Sequence, residues 1–109
     1  MVEYKGKQYV CLLDFAMNFI KGKWKPVLLC YMYSGPKRFL ELQRITNGIS
    51  HKVLTENLKE LENEDLIERI IYPEVPPRVE YKLTPMGKDL TKALKEIEAW
   101  SHKYFKELE

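Results

Sequence analysis

The stretch Thr46–Leu66, TNGISHKVLTENLKELENEDL, sets what the rest of the chain must accommodate. Asn47-Gly48 is a turn signal, because both residue types tolerate left-handed backbone. Ser50 follows as a helix N-cap, since its hydroxyl can accept from a free N–H of the first turn. Leu54, Leu58 and Leu61 then fall at i, i+4 and i+7, the apolar stripe of an amphipathic helix. The opposite face carries His51, Lys52, Thr55, Glu56 and Lys59. Such a helix suits a DNA major groove. It suits a plain solvated surface equally, so its neighbours must decide.

Upstream, Arg38 to Ile45 sets Phe39, Leu42 and Ile45 on one face and predicts a short helix. Two short amphipathic helices joined by a glycine-containing turn make either a helix-turn-helix or an ordinary αα-hairpin. Downstream the period changes to two. Leu66–Tyr72 and Val79–Leu83 alternate and are rich in β-branched and aromatic residues, which predicts strands. PEVPPR between them cannot continue a ladder. A hairpin with a proline-rich tip, directly after a helix pair, is the winged-helix plan. The hairpin is expected to cover the leucine face of the Ser50 helix and to project its tip beside it.

The flanks predict further helices. Residues 1–10 read as a polar and aromatic arm, partly extended. Cys11 starts a pattern through Leu12, Phe15, Ala16, Phe19 and Ile20, which Gly22 ends. Trp24–Tyr33 follows, with Pro26 tolerated in its first turn. Trp24, Val27, Leu28, Tyr31 and Met32 cover much of its circumference, so it is expected to be central. Ser34-Gly35-Pro36 stops it. Thr84-Pro85 starts the last helix as N-cap and first helical residue. Its apolar seam, Leu90, Leu94, Ile97, Trp100, Tyr104, Phe105 and Leu108, runs past any core that one small domain can offer. It reads as a dimer helix or as packing on the chain's own Phe15 and Phe19, and both can hold if two dimer partners interleave.

The 109 residues suffice for one domain, with arm and first helix at 1–21, winged core at 22–84 and C-terminal dimer helix at 85–109. The fold class expected is mainly α with a small β-hairpin. At 45% hydrophobic and 31% charged the chain is globular. A net charge of +2 does not announce nucleic acid by itself. Cys11 and Cys30 lack metal-ligand spacing. No signal peptide or membrane span is evident, and reduced thiols in a cytoplasmic protein are expected. Neither histidine lies in a catalytic motif and no glycine-rich phosphate loop is present, so neither an enzyme nor a cofactor is expected.

The chain resembles the HxlR-type winged helix-turn-helix transcriptional regulators of bacteria and archaea, relatives of the MarR-like repressors. The resemblance spans roughly Cys11 to Leu94. It rests on GKWKPVLL at 22–29, GPKRFLELQR at 35–44, GISHKVLTENLKELENEDLIER at 48–69 and YPEVPPRVEYKLTPMGKDL at 72–90. The YPEVPPRVEY wing ahead of Leu-Thr-Pro-x-Gly is the most specific of these. The resemblance implies a homodimer on double-stranded DNA, dimerised through its first and last helices. Some members sense an electrophile or oxidant through a cysteine at the position of Cys11. Most follow that cysteine with proline, where Leu12 stands here.

Candidate DNA-binding residues are Arg38, Ser50, His51, Lys52, Thr55, Lys59 and Arg78. Lys52 can bond guanine or phosphate, and Thr55 can meet a thymine methyl or a base edge. His51 is the weakest of them. Arg78 beside Pro76 and Pro77 fits a minor groove or phosphate, or else a hairpin salt bridge to Glu74 or Glu80. Lys37, Arg38 and Arg44 lie where first helices of such motifs cross the backbone. Lys23 and Lys25 could act likewise or serve solubility. Cys11 is a redox-sensing candidate or a packing residue, and Cys30 a core residue. Leu12, Phe15, Phe19, Leu94, Ile97, Trp100 and Tyr104 are the expected dimer interface. A winged-helix module that binds protein is the reading from another class. Lys52, Thr55 and Lys59 argue against it and Glu56 keeps it open.

Overall fold

The computed structural model describes all 109 residues. The arm is a β-hairpin, β1 (Val2–Tyr4) paired antiparallel with β2 (Lys7–Tyr9). Its two-residue loop, Lys5-Gly6, has φ of 49° and 79°. Two successive left-handed residues match the twist of a hairpin. The expected arm is thus corrected to a paired one. Helix α1 (Leu12–Met17) continues only as a 3-10 turn, Asn18–Ile20, so the first helix is shorter and tighter than its apolar spacing suggested.

Helix α2 is Lys25–Met32, α3 Phe39–Ile45 and α4 His51–Asn63. Strands β3 (Ile67–Tyr72) and β4 (Arg78–Leu83) pair antiparallel, with Ile67 opposite Leu83 and Tyr72 opposite Arg78. Lys37 bridges Tyr81 through reciprocal backbone bonds of 2.9 and 2.8 Å, which ties the start of the helix-turn-helix to the wing. Helix α5 (Pro85–Tyr104) follows, capped by Thr84.

The core is one cluster: Leu28, Leu29 and Met32 of α2, Leu42 of α3, Ile49 of the turn, Leu54, Leu58 and Leu61 of α4, Leu66 and Ile67 leading into the wing, and Leu94 of α5. Each buried leucine contributes on the order of 2 kcal/mol of transfer free energy. The leucine stripe of α4 is therefore spent inward, as its spacing predicts, with Tyr81 and Leu83 of β4 packed against the same cluster. Helix α2 is central, but through Leu28, Leu29 and Met32. Val27 and Tyr31, expected inside, are exposed. Within the chain α5 packs against α2 and not chiefly against Phe15 and Phe19.

Two ends of α4 are built differently. At the start, Ser50 Oγ accepts from Val53 N–H at 3.1 Å. At the finish, Asp65 takes φ 60°, and Leu66 N–H reaches back to the Leu61 carbonyl at 3.0 Å. That left-handed residue followed by a long-range backbone bond is a Schellman-type end. It turns the chain into β3 at once, so the wing starts beside the helix.

The radius of gyration is 15.4 Å, against roughly 13 Å for a compact chain of this length. The turns of α5 beyond Leu94 are almost wholly exposed, as is most of the N-terminal hairpin. No helix is long and apolar enough to cross a membrane.

Candidate nucleic-acid interface

The outward face of α4 begins at Ser50. Lys52 projects from it, its side chain 86% accessible. Glu56, one turn on, lies 4.0 Å from the Lys52 ammonium. Lys52 thus partly neutralises the carboxylate that would otherwise repel phosphate. Thr55 Oγ1 donates to the His51 carbonyl at 2.8 Å. Its proton is committed, and its methyl and lone pairs are what remain for a base. The His51 ring lies against Phe39, centroids 4.7 Å apart, so His51 braces α3 on α4 while still exposed. Lys59 is exposed and unpaired.

A hollow of about 360 Å³ separates α4 from the wing, bounded by Thr55, Leu58, Lys59, Glu62, Arg69 and Tyr81. Arg69 was not singled out by sequence reasoning. It is exposed, makes no ion pair, and stands opposite Tyr81 in the hairpin register. Its signal in the sequence is only an arginine in the first wing strand. The register that brings it beside Lys59 comes from the fold.

Arg78 is held within the wing. Its guanidinium carbon lies 4.0 Å over the Tyr72 ring centroid. Nε is 3.2 Å from Glu74 and a terminal nitrogen 3.8 Å from Glu80. The Nε–Glu74 approach is at ion-pair distance without hydrogen-bond alignment, and Nε has no other partner. Both bridges that the sequence allowed are therefore formed, around a guanidinium that keeps one buried N–H unspent.

Ahead of α4, Arg38 is the N-cap residue of α3. Its backbone N–H donates to the Glu41 carboxylate at 2.9 Å, and its side chain is exposed. Lys37 bonds Ser34 Oγ and the Gly35 carbonyl at 3.1 and 3.2 Å. Lys25 corrects an expectation outright. It is buried, and its ammonium bonds Glu60 and Glu64 of α4 at 2.9 Å each. Burial alone would lower its pKa, but the bonds and charges of the two carboxylates outweigh that and hold it above the ordinary lysine value. It pins α2 to the far end of α4, buried between two carboxylates and away from solvent.

Cys11 is exposed at the N-cap of α1, where the Val10 N–H is taken by the Asp14 carboxylate at 2.8 Å. Cys30 is half-buried, and burial, with Glu98 nearby, raises its pKa. Phe15 and Phe19 pack edge-on with each other, and Phe15 likewise with Tyr4 and Tyr9. Leu94 belongs to the core. Leu12, Ile97, Trp100 and Tyr104 are exposed, between 57% and 71%.

Comparison with known proteins agrees with this architecture. A family model described as HxlR-like helix-turn-helix matches residues 19–109. An HTH-type transcriptional regulator of Methanothermobacter thermautotrophicus is 44% identical over 97 residues, 89% of this chain and 74% of that protein. Among solved structures, the redox regulator HypR in its oxidized form superposes with a TM-score of 0.80 at 39% identity, over 85% of this chain and 96% of that one. The reduced form of the transcriptional regulator YodB from Bacillus subtilis superposes with a TM-score of 0.77 at 33% identity, over 89% and 95%. The family and these relatives are transcriptional regulators and not enzymes. With its hairpin wing behind a capped recognition helix, the chain belongs to the HxlR-like helix-turn-helix family of transcriptional regulators.

Proposed function

We propose that the chain acts as a homodimer that binds a pseudo-palindromic operator in double-stranded DNA. Helix α4 enters the major groove, and its first turns, Ser50 to Thr55, meet the base edges. The wing lies alongside with Arg69 and Arg78 toward phosphate or the minor groove. Arg38 meets the backbone. The observation that carries this reading is the division of α4. Its leucines are buried, while Lys52 projects to solvent and the unpaired Lys59 lies across the hollow from Arg69 on the wing. Two such helices in a dimer would reach successive major grooves about 34 Å apart. Dimerisation is supported by the exposed seam of Ile97, Trp100 and Tyr104 on a helix that outruns the core. Operator selection from random duplexes tests the reading. An inverted repeat should emerge, and Lys52→Ala and Arg78→Ala should weaken its binding. Unchanged affinity in both variants would sink the proposal.

A second reading, that oxidation or alkylation of Cys11 switches the same regulator, is favoured by a specific observation. The thiol is exposed at the base of the hairpin and α1, on the part of the chain expected to dimerise, and HypR is named a redox regulator. Operator affinity measured before and after diamide or a quinone, with Cys11→Ser as control, decides it. No response in the wild type rejects the switch.

A further inference from the structure

Glu56 puts a carboxylate on the outward face of α4, where the phosphates of a duplex make a negative charge unfavourable. We propose that Glu56 reads a cytosine, so that Lys52 and Glu56 together select a guanine and a cytosine close to each other in each half-site. The inference rests on the operator reading above and adds the base that each side chain prefers.

The helical repeat sets the geometry. Leu54, Leu58 and Leu61 are buried, and Lys52 and Glu56 fall on the side of the helix away from them, both exposed. They stand one turn apart. A turn rises about 5.4 Å and successive base pairs are about 3.4 Å apart. The two side chains therefore reach bases within two pairs of one another.

Most of their neighbours are already committed. Ser50 Oγ accepts from Val53 N–H at 3.1 Å. Thr55 Oγ1 donates to the His51 carbonyl, and Asn57 Nδ2 to the Val53 carbonyl, at 2.8 Å each. The His51 ring lies against Phe39. Glu60 is held by Lys25 at 2.9 Å, and Lys59 lines the hollow toward the wing. The Lys52 ammonium and the Glu56 carboxylate keep their full bonding capacity, one a donor only and the other an acceptor only. Their mutual contact of 4.0 Å is longer than a hydrogen bond. It joins two exposed groups, so a better partner displaces it.

An acceptor-only group finds few partners in a major groove. Guanine presents two acceptors there, and thymine an acceptor beside a methyl. Adenine sets its N6 donor next to the N7 acceptor. Cytosine presents its N4 amino donor with no acceptor on the same edge. Glu56 thus favours cytosine, with adenine second. Lys52 is the complement, its donors matched by guanine O6 and N7. The nearby ammonium also offsets the repulsion between phosphates and the carboxylate. A carboxylate that met only water and phosphate would weaken every duplex alike and prefer no base.

The test is operator selection from random duplexes by the full chain, by Glu56→Gln and by Glu56→Ala, followed by fluorescence anisotropy on single-base variants of the selected site. Wild type should fix one cytosine per half-site within two base pairs of a guanine. Thymine in its place should weaken binding about tenfold. Glu56→Gln should move that position to adenine, because an amide bonds both N6 and N7. Glu56→Ala should level the four bases there and leave the other positions as they were. Two outcomes overturn the proposal while the operator reading stands: a selected repeat with the same base preferences in all three proteins, or Glu56 variants that bind every duplex more tightly by one common factor. Failure of wild type to select any repeat would overturn both.

Discussion

Gly87 in the first turn of α5 presses against the backbone of Leu66 at the start of the wing. A Cβ built on Gly87 would lie 1.9 Å from the Leu66 carbonyl oxygen and 2.8 Å from its carbon. The same carbonyl accepts from Thr84 N–H at 3.1 Å, while Thr84 Oγ1 accepts from Gly87 N–H at 3.0 Å and donates to the Asp65 carbonyl at 2.6 Å. The end of the recognition helix, the root of the wing and the cap of the last helix are thus one backbone knot. Gly87→Ala should destabilise the chain by about 3 kcal/mol or more, since backbone and not a flexible side chain must move. Urea denaturation against wild type measures this. A loss well under 1 kcal/mol would mean that α5 shifts freely.

Thr46, at the end of α3, is buried and its hydroxyl has no partner. A buried polar group without a hydrogen bond costs stability that a methyl does not. Thr46→Val should be stabilising by about 1 kcal/mol, visible as a raised urea midpoint with an unchanged slope. A lower midpoint would contradict this.

Lys25 predicts an alkaline limb in the stability curve. Its pKa in the folded chain is raised above its unfolded value. Its ion pairs therefore contribute fully below the unfolded pKa of about 10.4, and that contribution is lost as pH rises through the folded value. Chemical denaturation between neutral pH and pH about 11 should show the decline in wild type and lack it in Lys25→Met. That variant should also lose about 1–2 kcal/mol at neutral pH, below the cost of a fully buried pair because Glu60 is exposed.

On the proposed DNA-binding reading, Arg78 is shared between its wing carboxylates and the duplex. Glu74→Gln and Glu80→Gln each remove a carboxylate that holds it, so both should tighten duplex binding, by about threefold. Arg78→Ala should weaken binding and flatten the slope of log affinity against log salt by about one, as should Arg69→Ala. Fluorescence anisotropy across a salt series separates the cases. Equal slopes for Arg69→Ala and wild type would remove Arg69 from the interface.

The thiols should differ in reactivity. Cys11 is exposed, whereas Cys30 is half-buried with its thiol pushed up by burial. Thiolate is the attacking form, so iodoacetamide near neutral pH should modify Cys11 well before Cys30, as mass spectrometry of a time course will show. Faster labelling at Cys30 would indicate that α2 and α5 open.

What could be read directly was whatever repeats locally. The leucine stripe at Leu54, Leu58 and Leu61, the Ser50 and Thr84 caps and the change of period after Leu66 all depend on residues within a few positions of each other. They suffice for the winged plan, and the motif resemblance drew on the same segments. The N-terminal hairpin was also local, with Lys5-Gly6 between alternating residues, but a three-residue strand leaves too short a pattern to stand out.

Partnership across the chain was decided only by the tertiary structure. Lys25 read as a loose cation because its carboxylates lie 35 and 39 positions away. Arg69 came to share a hollow with Lys59 only through the packing of the wing on α4, Leu94 turned inward because α2 met it, and Gly87 lies against the Leu66 backbone, where a Cβ has no room. Periodicity is set by the backbone's own repeat and survives in the sequence. Pairing depends on which surfaces close on one another, and no single segment encodes that.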